Sequence, residues 1–138
     1  MNAFIDTNIF LYSYDESDPV KAKKARELIL KLIKEHKGVV STQVVQEFCN
    51  VALKKSSSPL NPSDVNEILN EVLLPILEHI PDSSFYRRAL KTYVRYSLSF
   101  YNSLIIQAAT DLKCSLLYSE DMQNGMQYNC VTVVNPFI

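Results

Sequence analysis

Asp6, Glu47 and Asp121 are the residues of this 138-residue chain best placed to do chemistry together. Asp6 closes the apolar run Ala3-Phe4-Ile5, Asp121 lies just beyond the run Ser115 to Tyr118, and Glu47 follows Val39-Val40 by about two helical turns at most. In open parallel sheets, ligands gather outside the carboxyl ends of the strands, so these positions would bring three carboxylates to one edge. Converging carboxylates repel one another and call for a cation. Oxygen donors without His or Cys select a hard ion, Mg²⁺ or Mn²⁺, which can activate a water and stabilise the leaving oxygen of a phosphodiester. Each acid also has a plainer use. Asp6 can cap a helix starting at Thr7, Glu47 can be a solvated helix acid, and Asp121, with Asn124-Gly125 behind it, can be a turn residue.

The elements that would position these acids follow from apolar spacing. Ala3 to Ile5 reads as a buried strand, and Ile9 to Tyr14 as a short helix or turn. Asp18-Pro19 starts a helix carrying Ala22, Ala25, Ile29 and Leu32, which Gly38 ends. Val39-Val40 is a second strand, and Ser41 or Thr42 caps a helix through Glu47 to Leu53. Lys54 to Pro59 is a loop by composition. Ser63 or Asp64 caps a helix with Val65, Ile68, Leu69 and Val72 on one face, which Pro75 kinks or ends. Asp82 or Ser83 opens a helix through Tyr96, and Ser99 caps another with Leu104, Ile105, Ala108 and Leu112 inward. Ser115 to Tyr118 and Val131 to Val134 are the last strands. Short apolar strands separated by helices predict an α/β fold, a short parallel sheet covered on both faces, in a single domain over residues 1–138.

Composition narrows the function classes. Two glycines and the absence of GxGxxG or GxxxxGK[ST] argue against a phosphate-cradling glycine loop. Cys49, Cys114 and Cys130 are widely spaced in apolar stretches and read as reduced, buried thiols of a cytosolic protein. His36 and His79 read as helical residues remote from the acids. Asp6 interrupts the apolar N-terminus, so no signal peptide is expected, and no apolar run reaches the about 20 residues that span a bilayer.

Four segments resemble the motifs of PIN domains of the VapC toxin type, in the family's order. They are Phe4-Ile5-Asp6-Thr7-Asn8, Val44-Val45-Gln46-Glu47-Phe48, Leu98-Ser99-Phe100-Tyr101-Asn102-Ser103-Leu104-Ile105, and Leu116 to Gly125. The resemblance implies a three-layer fold with a short central parallel sheet flanked by helices, and a metal-dependent endoribonuclease acting as the toxin of a toxin–antitoxin pair. It implies that Asp6, Glu47 and Asp121 ligate Mg²⁺ or Mn²⁺ and that Thr7 and Ser119 support them. Glu120 receives no role from it, and a solvated turn is its default. The departure is Asn102, where the family usually has Asp. Asn offers a carbonyl oxygen without charge, so weaker metal binding and slower cleavage are expected. A catalytically impaired domain that binds RNA or an antitoxin without cutting is the alternative, and an Asn102 that only decorates its helix is the plainest reading.

Half of the 14 Lys and Arg fall between Lys21 and Lys37, where a Glu27–Lys31 pair suggests an ordinary solvated helix face. Arg87, Arg88, Lys91 and Arg95 lie in an acid-free stretch, interleaved with Tyr86, Tyr93, Tyr96 and Tyr101, and are candidates for RNA contact through phosphates and stacking. Several of those tyrosines are expected in the core. The resemblance further implies a homodimer and an antitoxin protein as partners. Val65 to Leu73 could serve a dimer or simply pack.

Overall fold

The computed structural model describes residues 1–54 and 60–138. Of the expected loop Lys54 to Pro59, all but Lys54 lies outside the described residues. Strand β1 (Asn2–Ile5) leads into helices α1 (Thr7–Ser13) and α2 (Pro19–Lys34), then β2 (Gly38–Ser41) and α3 (Thr42–Ala52). Next come α4 (Pro62–Ile68), a π turn Leu69–Leu73, a 3₁₀ turn Leu74–Ile76 and β3 (Leu77–His79). Helices α5 (Ser83–Tyr96) and α6 (Phe100–Asp111) precede β4 (Cys114–Tyr118), β5 (Gln127–Tyr128) and β6 (Val131–Val134).

The strands form one sheet in the order β3-β2-β1-β4-β6-β5, parallel throughout except for β5 against β6. Strand β1 is central, and Ala3, Phe4 and Ile5 are all buried, which requires cover on both faces. Phe4, Ile5, Val40, Leu117, Val131 and Val133 give the sheet's share of the core, with Phe10, Phe48 and Ile105 from the helices. This is the α/β fold with a central parallel sheet expected from the sequence.

Several local expectations need correction. Strands β3 and β5 were not foreseen. Leu77–His79 has only three residues at the sheet margin, and Gln127–Tyr128 is an antiparallel addition of two. Asn61, rather than Ser63 or Asp64, caps α4, and Asp64 returns the bond to Asn61 N–H in a capping box. Gly38 does not end α2. The helix stops at Lys34 and His36 takes the left-handed turn (φ 57°). Gly38 instead opens β2 where a Cβ would lie 3.2 Å from Ile5 Cδ1 and 3.3 Å from Leu32 Cβ. With only two glycines available, Ser97 and Lys113 likewise adopt positive φ after α5 and α6.

The histidines are not helical: His36 sits in that turn and His79 ends β3. Of the cysteines only Cys114 is buried, Cys49 is half-buried and Cys130 exposed. Leu112 is half-buried beyond the end of α6. Tyr86, Tyr93 and Tyr101 are exposed, so among the four interleaved tyrosines Tyr96 alone packs on the core. Among the described residues Glu27 and Lys31 form no ion pair.

Candidate functional site

The sheet's carboxyl edge is where the sequence expected chemistry, and two hydroxyl residues organise it. Asp6 follows β1 directly and is buried, with its backbone N–H donating to Tyr118 O across to β4 at 3.0 Å. Its Oδ1 accepts from Thr7 N–H at 2.8 Å, capping α1, and its Oδ2 accepts from Ser119 Oγ at 2.8 Å. Asp6 is therefore both helix cap and site candidate. Ser119, fully buried just past β4, also accepts from Asp121 N–H at 3.1 Å and so links Asp6 to Asp121. The Thr7 hydroxyl donates to Glu47 Oε1 at 3.4 Å and links Asp6 to α3. Glu47 and Asp121 are exposed, facing solvent around the buried acid.

This arrangement makes Asp6 hard to ionise. Burial pushes its carboxyl up to about 6, against the hydrogen bonds from Ser119 and Thr7, and the charges of Asp121 and Glu47 add to the rise. A buried acid flanked by two others of like charge, with no ion pair at any of the three among the described residues, is short of positive charge. The donors are all oxygens, which suits a hard divalent cation. Asn8, two residues after Asp6, adds a buried amide whose oxygen and nitrogen both lack partners among the described residues. No three His, Cys, Asp or Glu of the described residues close into a compact ion-binding group.

Asn102 stands in the first turn of α6, half-buried, with its backbone N–H capped by Ser99 Oγ at 3.1 Å. Helix α6 runs back into the start of β4, so its first turn lies toward the sheet's carboxyl edge, and Gln43 of α3 holds Tyr101 O at 3.4 Å. Glu120 is not a solvated turn residue. It accepts from Tyr12 Oη and Lys21 Nζ, each at 2.9 Å, and Lys21 also lies 4.4 Å from the Tyr12 ring centroid. Glu120 is thereby tied away from the other acids.

Among the described residues none of the basic candidates pairs with Asp6, Glu47 or Asp121. Arg87, Lys91 and Arg95 recur every fourth residue on the exposed surface of α5, and Arg95 lies over the Tyr96 ring. Arg88 is spent on Asp111 (2.7 Å) and Ser84 (2.7 Å). Sequence reasoning gave no role to Asn8, although a polar residue opening the otherwise apolar turn Asn8-Ile9-Phe10-Leu11 was a signal.

Comparison with known proteins gives the context. The family model for the PIN domain matches residues 3–123. No curated protein matches. Among solved structures, a chain of a toxin–antitoxin complex from Klebsiella pneumoniae is 17% identical, with 98% of each chain covered and a TM-score of 0.68. VapC20 of Mycobacterium tuberculosis, described as a sarcin-ricin loop cleaving toxin, is 16% identical over 87% of this chain and 90% of that one, with a TM-score of 0.63. VapBC2 from Rickettsia felis, bound to a DNA fragment from its promoter, is 15% identical over 96% and 97%, with a TM-score of 0.66. At these identities the likeness is one of fold, and the family match runs from β1 through β4, four of the six strands, and takes in every candidate site residue: the chain belongs to the PIN domain family.

Proposed function

We propose that this protein is a metal-dependent endoribonuclease, the toxin of a toxin–antitoxin pair, cutting RNA phosphodiesters at the edge occupied by Asp6, Glu47 and Asp121. The observation that carries the reading is the buried Asp6, linked by Ser119 and Thr7 to two exposed acids and lacking a cation of its own. When bound there, Mg²⁺ or Mn²⁺ supplies the positive charge that activates a water and stabilises the leaving oxygen. Asp6, Glu47 and Asp121 would hold the ion. Ser119 and Thr7 fix the carboxyl of Asp6 in one orientation, and Ser119 draws the loop bearing Asp121 onto it. Asn102 contributes an oxygen without charge. Exposed Arg87, Lys91 and Arg95 offer phosphate contacts along α5. Restraint by an antitoxin is in keeping with the toxin–antitoxin complex among the structural neighbours, and a cytoplasmic homodimer is the assembly we propose with it. No described helix is long and apolar enough to cross a membrane.

Asn102 favours a second reading, a domain that binds RNA or antitoxin without cutting. Cleavage of a structured RNA mixture in Mn²⁺ separates the two. The protein is expected to cut, and Asp6→Ala to reduce the rate by about 10³-fold, since an ion at such a site contributes several kcal/mol of charge stabilisation. Cutting by Asn102→Asp alone would establish the impaired reading. RNA binding without cutting by either protein would remove the enzyme claim.

A further inference from the structure

Beside the acids, on the far side of β2, a cavity of about 310 Å³ opens among the ends of β2 and β3 and the first turns of α3, α5 and α6. Its rim is aromatic, with Tyr86, Phe100 and Tyr101 all exposed, and Tyr101 70% so. Its wall contains Ser41 and His79, both buried, and their Oγ and Nδ1 have no hydrogen-bond partner among the described residues. Buried polar atoms left unpaired are costly, because each has given up water without gaining a partner. The His79 ring is fixed from behind. Its Nε2 lies 3.1 Å from Asp111 Oδ2, which also accepts from Arg88 at 2.7 Å. A carboxylate only accepts, so Nε2 carries a proton toward Asp111 and Nδ1 is the ring atom left without a partner among the described residues. Ser41 Oγ can donate or accept. The wall therefore offers a ring nitrogen and a hydroxyl behind a set of rings.

We propose that this cavity is a nucleobase subsite. It takes one base of a single-stranded RNA, stacked under Tyr101 and Phe100 and met at its edge by His79 Nδ1 and Ser41 Oγ. This rests on the ribonuclease reading, of which it names the substrate contact. Placement supports it. Continuing the β1–β2 register (Ala3 with Gly38, Phe4 with Val39) sets Asp6 level with Ser41 on the adjacent strand, about 5 Å away. Gln46 of the cavity precedes Glu47, and Tyr101 precedes Asn102. A strand with a phosphate at the acids thus has a neighbouring base at the cavity mouth. The two polar atoms lie behind the rim, and the base edge reaches them past the exposed Tyr86 ring while its face rests on Tyr101 and Phe100. An apolar side chain from a second copy or another protein would cover the rings and leave Ser41 and His79 unpartnered. A base has both a flat face and polar edge atoms, and base–aromatic stacking is a common mode of single-strand recognition.

The test is fluorescence anisotropy of labelled single-stranded RNA in EDTA, which reads binding without cleavage, using oligomers with each base or an abasic nucleotide at one position. The wild type is expected to bind with a preference among bases and to lose affinity for the abasic strand. Tyr101→Ala should weaken binding by about 5- to 150-fold, the range for losing one stacked base. Ser41→Ala should reduce the base preference more than the affinity. RNA binding with unaltered affinity and preference in both variants overturns the subsite and leaves the ribonuclease reading standing. Loss of self-association by Tyr101→Ala in sedimentation, with RNA binding unchanged, also overturns it, in favour of a second copy on this face. If the wild type neither binds nor cuts RNA, the ribonuclease reading falls and the subsite with it.

Discussion

Asp6 and Asp111 are both partly or wholly buried, both hydrogen-bonded by side chains, and driven in opposite directions. Burial raises Asp6 to about 6, and its two donors, a hydroxyl and a backbone N–H, are neutral. Burial also works against Asp111, but bonds from Arg88, Gln107 and His79 outweigh it and hold the carboxyl below its ordinary value. The difference is one guanidinium. At Asp111 the fold supplies the positive charge. At Asp6 it supplies orientation and two further negative charges, with no cationic side chain paired to it among the described residues. The aspartate without a countercharge is the one at which the proposed function puts a cation.

The largest break in this contrast is Asp6→Asn. Keeping the shape and removing the charge should stabilise the metal-free protein at pH 8 by roughly 3 kcal/mol, from about 1.4 kcal/mol per pH unit of displacement. The sign follows from linkage. The unfolded chain loses the Asp6 proton near 3.8 while the folded chain keeps it to about 6, so this residue's contribution to stability falls as pH rises from about 4 to 6 and is level above. Denaturant midpoints in EDTA should show that fall in the wild type and not in Asp6→Asn. Mg²⁺ should restore stability to the wild type alone. Equal midpoints for the two proteins at pH 8 would mean that Asp6 is comfortably ionised and already has its charge.

Both sides of the contrast were unequally visible in the sequence. Asp6, Glu47 and Asp121 could be found because each follows a short apolar run, and strand-end positions in a parallel sheet meet by topology. Ser119 and Thr7 could be named because they fall within the motifs that carry the family resemblance. The Asp111 cluster was out of reach. It joins residues 79, 88, 107 and 111, and His79 lies on a strand of three residues at the sheet margin whose sequence, Leu77-Glu78-His79, has no alternation to mark it. Arg88 looked available for RNA because the acid it pairs with follows the acid-free stretch by one residue. Glu120 looked solvated because Lys21 and Tyr12, its partners, are about a hundred residues away in the chain. Short-range pattern reveals where a side chain starts; only packing reveals what it meets.

Asp111→Asn tests the opposite member and should have a smaller effect. It removes the charge that Arg88 pairs with while leaving one acceptor oxygen, and, because that pair is partly exposed, about 1 kcal/mol of stability is expected to be lost. Since the folded carboxyl lies below its unfolded value, the loss should be fully present at neutral pH and should vanish as the wild type is acidified below about 4. A stabilising Asp111→Asn in denaturant melts at pH 7 would erase the distinction between the two aspartates.

The finest test leaves both carboxyls in place. Ser119→Ala deletes the buried hydroxyl that donates to Asp6 Oδ2 and accepts from Asp121 N–H. That hydroxyl opposes the rise in the Asp6 pKa, so its removal should move the Asp6 midpoint upward from about 6, as read by the carboxyl carbon shift in an NMR titration. Because a carboxylate must shed its proton to hold a cation, the pH at which Mg²⁺ half-saturates should move the same way. Asp111, which has no contact with Ser119, should titrate unchanged and serves as the internal reference. A midpoint for Asp6 that does not move would show that Ser119 only places the loop of Asp121, and that the orientation of Asp6 is set by Thr7 and its own backbone.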